Sequence, residues 1–328
     1  MRAVWYEENG AAADVLRLGE MDKPAPGPGE LRVALATSGV NPVDCKRRRG
    51  GRGAMDAPRV VPHFDGAGLV DALGDGVDEA RRGERVWIYE AQWGSANGSA
   101  ADYVTLAADR AIKLPDSVGF DAGACLGIPA MTAHRCVFAD GPIDGQTILV
   151  TGGAGAVGRY ALQFAALGGA RVIATVSSAE KAAVAKAAGA PEILDYKTED
   201  VAARVAEITG GAGVDRIVEV EFGGNLESSL AVIANNGVIA SYASDAVLEP
   251  TLPFYRMVYG NTTLRPVLVF GMPEAAKSQA VADITRWAES GDLSHHIGPR
   301  FSLEDTAAAH QAVEDGSFGK VIIEIAAL

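Results

Sequence analysis

The rhythm of hydrophobic and polar positions changes near residue 120. Before it, short apolar stretches broken by Pro and Gly predict strands over 2–6, 15–18, 30–37, 67–73, 84–89 and 101–106, with a Pro-rich connection at 24–28. From about residue 146, strands at 147–151, 171–176, 192–195, 215–220, 237–242 and 264–270 are separated by helix-length segments. Six strands joined by crossovers predict a doubly wound parallel sheet. Gly271 and Pro273 mark the exit from it. Beyond them 275–290 and 303–315 read as helices and 321–325 as a closing strand, a tail expected to return to the first domain.

The join between the first strand and helix of this second half carries the chemistry. Ile148–Val150 runs into Thr151-Gly-Gly-Ala-Gly-Ala-Val-Gly158, and apolar residues then recur at helical spacing to Leu167. Gly153, Gly155 and Gly158 form a G-x-G-x-x-G turn. Its glycines permit a tight turn, close approach of a pyrophosphate and close packing of helix on strand, and free N–H groups at the helix start face the phosphates. Thr209-Gly-Gly-Ala-Gly213 has similar glycine content but is followed by a strand, so a plain turn is expected there.

At the tip of the next strand a dinucleotide site built for NAD carries an acid, about 20 residues past the glycines, that binds a ribose hydroxyl. This chain has Val176-Ser177-Ser178 and then Lys181 instead. Two hydroxyls and an ammonium suit a ribose 2′-phosphate, which selects NADPH. The alternative is that Ser177 caps the following helix and Glu180 completes a capping box. Glu219 and Glu221 end the fourth strand, and an acid at 221 is unexpected beside a cofactor.

Composition narrows the partners. A net charge of −13 argues against nucleic acid and anionic membranes, and no apolar run reaches the roughly 18 residues a membrane helix needs. The nearest, 122–133, contains Gly123, Gly127 and Pro129 and reads as a buried helix start or loop. Cys45, Cys125 and Cys136 form no CxxC pair, which suits a reducing, cytoplasmic setting.

The chain resembles the quinone oxidoreductase and zeta-crystallin branch of the medium-chain dehydrogenase/reductase superfamily. The matching pieces are Ser38-Gly-Val-Asn-Pro-Val-Asp44, Asp65-Gly-Ala-Gly68, Gly83-Glu-Arg-Val86, Met131-Thr-Ala133, the turn at 155–158 and Gly319-Lys-Val321. The resemblance implies an α/β protein with a chaperonin-10-like β-barrel catalytic domain, 1–124 and 272–328, and a Rossmann domain, 125–271, that supplies a homodimer contact. Zinc-dependent members bind metal through a Cys, a His and a second Cys. The matching positions here are Asn41, Phe64 and Ile128, so no metal is expected, and His63 beside them stands alone and reads as structural.

By the same resemblance, Asn41, Asp44 and Thr132 line the nicotinamide end, Asn41 bonding a substrate carbonyl and Thr132 the carboxamide. Asn41 and Asp44 also read as caps of the helix before Lys46. The expected cofactor contacts are Gly153, Gly155, Ala156, Val157, Gly158, Ser177, Ser178, Lys181, Tyr196, Thr132, Tyr242 and Ala243. Tyr89 and Trp93 are candidates for an aromatic wall against a planar substrate, or for core positions. Arg47, Arg48, Arg49 and Arg52 read as a solvated face or as a filter for anionic substrates. The expected activity is zinc-independent, NADPH-dependent hydride transfer to a quinone. The alternatives are an enone or enoyl-thioester reductase with a positioned acid such as Tyr89, and a non-catalytic NADPH-binding structural or RNA-binding protein.

Overall fold

A computed structural model describes all residues except Arg52, Ala54 and Asp56; the reading of Arg52 therefore lies outside the described residues. The chain divides into two compact units, 1–128 with 281–328, and 129–280. No helix among the described residues is long and apolar enough to cross a membrane.

In the first unit a seven-stranded sheet runs in the order Ile297–Ser302, Lys320–Glu324, Glu30–Val40, Asp65–Leu73, Arg85–Ile88 and Ala111–Lys113, with Tyr103–Ala107 also paired to Glu30–Val40. The long strand Glu30–Val40 organises it. Leu31, Val33 and Leu35 alternate inward onto Val86, Ile88, Val104, Val321 and Ile323, and register shifts after Arg32 and Leu35 bend it. Both chain ends thus contribute strands to one sheet. Arg2–Trp5 pairs with Arg17–Glu20, so the second strand lies later than the expected 15–18, and Ala12–Val15 is a helical turn. The Ile297–Ser302 strand was not foreseen, because Gly298 and Pro299 sit inside it and read as a break. Ala111–Lys113 is short enough to leave no pattern.

The second unit is a parallel six-stranded sheet in the order Glu192–Asp195, Arg171–Val176, Thr147–Val150, Val214–Glu219, Ile233–Ser241 and Thr263–Pro266. This is the doubly wound arrangement, with strand order reversing beside Thr147–Val150. Leu149, Ile173, Ile217 and Ile239 share one face with Phe222, Leu226, Leu230 and Val205 from the covering helices. Each such fully buried side chain contributes about 1.5–3 kcal/mol. The last strand is shorter than the expected 264–270. It stops at Pro266, which has no N–H to donate, and Val269–Gly271 is a 3-10 turn. The 209–213 run is a turn, as expected, with Gly210, Gly211 and Gly213 at positive φ.

Candidate functional site

The strand Thr147–Val150 ends in the glycine turn, and helix Ala156–Leu167 starts immediately after it, with Gly155 as its N-cap. The left-handed residue of the turn is Gly152, at φ 62°. Gly153 and Gly158 serve close packing. A Cβ on Gly153 would lie 2.9 Å from Ala174 Cβ, and one on Gly158 would lie 2.3 Å from the Gly152 carbonyl oxygen. Gly155 and Ala156 are exposed, and the first-turn N–H groups of Ala156, Val157 and Gly158 precede any carbonyl four residues back that could accept them. The result is an open anion cradle at a helix start.

At the tip of the neighbouring strand, Arg171–Val176, the two serines separate their tasks. Ser178 is the N-cap of helix Ala179–Ala187 and accepts from the Lys181 backbone N–H at 3.3 Å. Ser177 is therefore not the cap, and Glu180 completes no box with it. Instead the Lys181 ammonium donates to Ser177 Oγ at 3.1 Å. A hydroxyl and an ammonium are held together at the tip of the strand that pairs with Thr147–Val150. Tyr196, which follows the next strand, is 53% exposed and is bonded through its backbone N–H to Val176 O.

The fourth strand contributes a network that the sequence did not reveal. Glu219 is fully buried. Its Oε1 accepts from Thr151 Oγ1, the Glu221 N–H and Asn225 Nδ2, each at 2.8 Å, and its Oε2 accepts from Ser229 Oγ at 3.0 Å. Four donors from four residues thus solvate one carboxylate. Glu221 caps helix Phe222–Val232 through the Gly224 N–H and accepts from the Asp245 and Ala246 N–H groups at 2.7 and 3.1 Å. Partial burial pulls its carboxyl upward, but these backbone donors outweigh it and hold the group below the ordinary glutamate range. Glu221 thereby fastens the loop after Ser241, where Tyr242 donates its N–H to Glu219 O and Ala243 O accepts from Phe222 N. A cavity of about 500 Å³ opens here, lined by Thr151, Gly152, Thr175, Tyr196, Val220, Glu221 and Asn225 among others.

In the first unit, Asn41 and Asp44 are 2% and 1% exposed. Asn41 precedes helix Pro42–Arg48, and Asp44 reaches back to accept from its N–H at 2.6 Å. The Asn41 side chain is engaged too: Nδ2 donates to Asp65 Oδ2 at 2.8 Å, and Oδ1 accepts from the Lys320 ammonium at 2.5 Å. Burial pushes the Asp44 carboxyl up to about 8, so it holds its proton at neutral pH. Phe64 and Ile128 offer no donor atoms and Asn41 already faces a cation, so these positions do not form a zinc ligand set. Among the described residues no group of three His, Cys, Asp or Glu is placed to hold a metal.

His63 is not alone. Ser99 Oγ donates its one proton to Asp65 O at 2.6 Å, so Ser38 Oγ must donate to Ser99 at 2.7 Å and accept from His63 Nδ1 at 2.9 Å. His63 Nε2 is then the acceptor for His310 Nε2–H at 2.8 Å, and His310 Nδ1 is left buried with no partner among the described residues. Burial drives both imidazoles neutral, His63 well below its ordinary value and His310 down to about 3.

The arginine cluster is not one solvated face. Arg48 is fully buried and donates to Gly10 O and Glu314, while Arg49 reaches the same Glu314 from the surface and Arg47 lies over the Phe64 ring. A buried guanidinium needs such a carboxylate, and Glu314 is too far along the chain for charge patterning to reveal it. Tyr89 is 5% exposed, packs against Trp87 and donates to Asp109 O at 3.4 Å, whereas Trp93 is 38% exposed. Thr132 is buried near the start of helix Met131–Phe138, in the second unit.

Residues 27–116 match the family model for an alcohol dehydrogenase GroES-like domain, and residues 156–286 that for a zinc-binding dehydrogenase. The chain is 32% identical over 301 residues to a quinone oxidoreductase of Pseudomonas aeruginosa, covering 90% of this chain and 91% of that protein. Among solved structures it resembles a mycobacterial protein complexed with NADPH, with a TM-score of 0.88, 32% identity and coverage of 99% and 100%. It also resembles an NAD-dependent alcohol dehydrogenase, with a TM-score of 0.91, 31% identity and the same coverage.

Proposed function

Because the chain belongs to the quinone oxidoreductase-like family of medium-chain dehydrogenases/reductases, whose β-barrel and Rossmann folds it shares, we propose that it is a zinc-independent, NADPH-dependent reductase of quinones. The observation that carries this reading is the Ser177–Lys181 pair beside the glycine cradle. Two groups that bind anions stand where an NAD site has a carboxylate that repels a 2′-phosphate. The mycobacterial structural relative was solved with NADPH.

Bound NADPH supplies a hydride. The protein's share is to hold diphosphate on the Ala156–Leu167 helix start, hold the 2′-phosphate on Ser177 and Lys181, and keep the 242–247 loop in place through Glu221. A quinone delocalises incoming charge over its oxygens, so a dedicated proton donor is unnecessary. Tyr89 does not serve as one in this reading, because its hydroxyl is buried and directed to a backbone carbonyl.

NADPH oxidation against quinones, enones and enoyl thioesters, with NADH alongside, tests the assignment. Quinone turnover with NADPH is expected. Reduction of C=C bonds without quinone turnover would replace it with the enone or enoyl-thioester reading, and NADPH binding with no reduction of any acceptor would favour a non-catalytic role. Lys181→Ala is expected to raise the Michaelis constant for NADPH roughly tenfold or more and leave NADH use nearly unchanged; equal losses with both coenzymes would contradict the phosphate assignment.

We also place a homodimer contact on the second unit, in a cytosolic enzyme with three buried free cysteines. Leu248, Phe254, Tyr255, Tyr259 and Leu268 are each more than 60% exposed and flank Thr263–Pro266, the edge strand of the sheet. Self-pairing about a two-fold axis would cover both the apolar side chains and the open edge. Sedimentation should give twice the chain mass of 33.9 kDa, and Tyr255→Glu with Tyr259→Glu should give the monomer. A wild type that sediments as a monomer overturns the contact.

A further inference from the structure

A buried cation stands at Asn41 that the reaction described above does not use. Lys320 opens the strand Lys320–Glu324 and is only 5% exposed. Its ammonium donates to Asn41 Oδ1 at 2.5 Å and to Asp65 Oδ2 at 3.1 Å. Asp65 is held from its other side, since Oδ1 accepts the Ile128 N–H at 2.9 Å. Two glycines leave room for the assembly. A Cβ on Gly39 would lie 2.7 Å from Lys320 Cε, and one on Gly127 would lie 2.1 Å from Asp65 Oδ1.

This arrangement leaves no ambiguity in the Asn41 amide, whose oxygen must face the ammonium and whose nitrogen must face the carboxylate. One Nδ2 proton goes to Asp65. The other has the Gly39 carbonyl at 3.5 Å, too long for a good hydrogen bond. A positive charge on the amide oxygen polarises the group and strengthens its remaining N–H as a donor.

We propose that Lys320 is a positioning residue for reduction, fixing and polarising Asn41 so that its second Nδ2–H stabilises the acceptor oxygen as negative charge develops there. This rests on reading the chain as a reductase of carbonyl acceptors such as quinones. The acceptor takes two electrons and a hydrogen nucleus as hydride from NADPH, which leaves as NADP+. The electron pair of the acceptor's C=O bond moves onto oxygen, and that oxygen then takes a proton from water. The fixed donor acts where charge appears, which is the arrangement that lowers a barrier most.

Lys320→Met alone strands the buried Asp65 carboxylate and puts folding at risk, so the decisive variant is Lys320→Met with Asp65→Asn, which removes both charges and leaves no buried ion without its counter-ion. With native thermal stability, this variant should lose roughly 100-fold in kcat for quinone at an unchanged KM for NADPH, and Lys320→Arg should recover part of the loss. A folded double variant with wild-type kcat overturns the proposal. A wild type that reduces no carbonyl acceptor overturns the quinone reading instead. In either case the Asn41 side-chain amide signal, assigned by its disappearance in Asn41→Asp, should move when quinone is added to the NADP+ complex; a signal that stays put also overturns the proposal.

Discussion

Gly158→Val is expected to lower NADPH affinity by roughly 100-fold, about 3 kcal/mol, and to destabilise the fold by about 1–3 kcal/mol. The added Cβ would meet Gly152 O at 2.3 Å, Gly152 C at 3.0 Å and Gly153 Cα at 3.1 Å. All three are backbone atoms, so no side chain can swing aside. The helix start must back away from the turn, and the N–H groups of Ala156 and Val157 lose their aim at the diphosphate. Gly155→Ala is the control. Its Cβ has only Gly152 O, at 3.2 Å, within reach, so it should fold with near-native stability while its methyl obstructs the pyrophosphate. Coenzyme titration and thermal melting of the two variants check this. Equal, small effects on affinity would remove the cradle from the account.

The second large effect is on stability against pH. His63 and His310 have folded values depressed below the unfolded 6.5, His310 to about 3. Between those limits the unfolded chain binds protons that the native chain does not, so stability is full above about 6.5 and is lost as pH falls, at about 1 kcal/mol per pH unit for each histidine. Asp44 has the opposite sign. Its value is raised from 3.8 to about 8, so its contribution is full below 3.8 and declines as pH rises toward 8. From pH 4 to 6.5 the two histidines outweigh the aspartate and stability rises; from 6.5 to 8 Asp44 acts alone among the three and stability falls. Urea unfolding across this range should show a maximum near pH 6.5. His310→Gln should flatten the acid limb by one proton, and Asp44→Asn should remove the decline above 6.5. An acid limb of unchanged slope in His310→Gln would contradict the neutral histidine pair.

The parts of the fold legible in the sequence are those whose physics is local. A strand running into three spaced glycines and an amphipathic helix states its own turn, and the absence of an acid at Val176–Ser178 is visible by inspection. What escaped depends on partners far along the chain. His63 read as solitary because His310 lies 247 residues away, and Arg48 read as exposed because Glu314 lies 266 residues away. Lys320 was part of a motif without a task until the sheet set it against Asn41, 279 residues earlier. The strand Ile297–Ser302 was hidden by its own Gly298 and Pro299, which local rules read as a break and which pairing with Lys320–Glu324 tolerates. Glu221 looked misplaced beside an anionic coenzyme because the backbone N–H groups that neutralise it belong to a loop more than 20 residues on.

The central claim is that this chain grips a diphosphate on one helix start and a 2′-phosphate on Ser177 and Lys181. Calorimetric titration of the wild type with NADPH and with NADH, at one ionic strength, tests it most directly. The account predicts that NADPH binds more tightly by roughly 10- to 100-fold, about 1.4–3 kcal/mol. Equal affinities, or tighter binding of NADH, would contradict it.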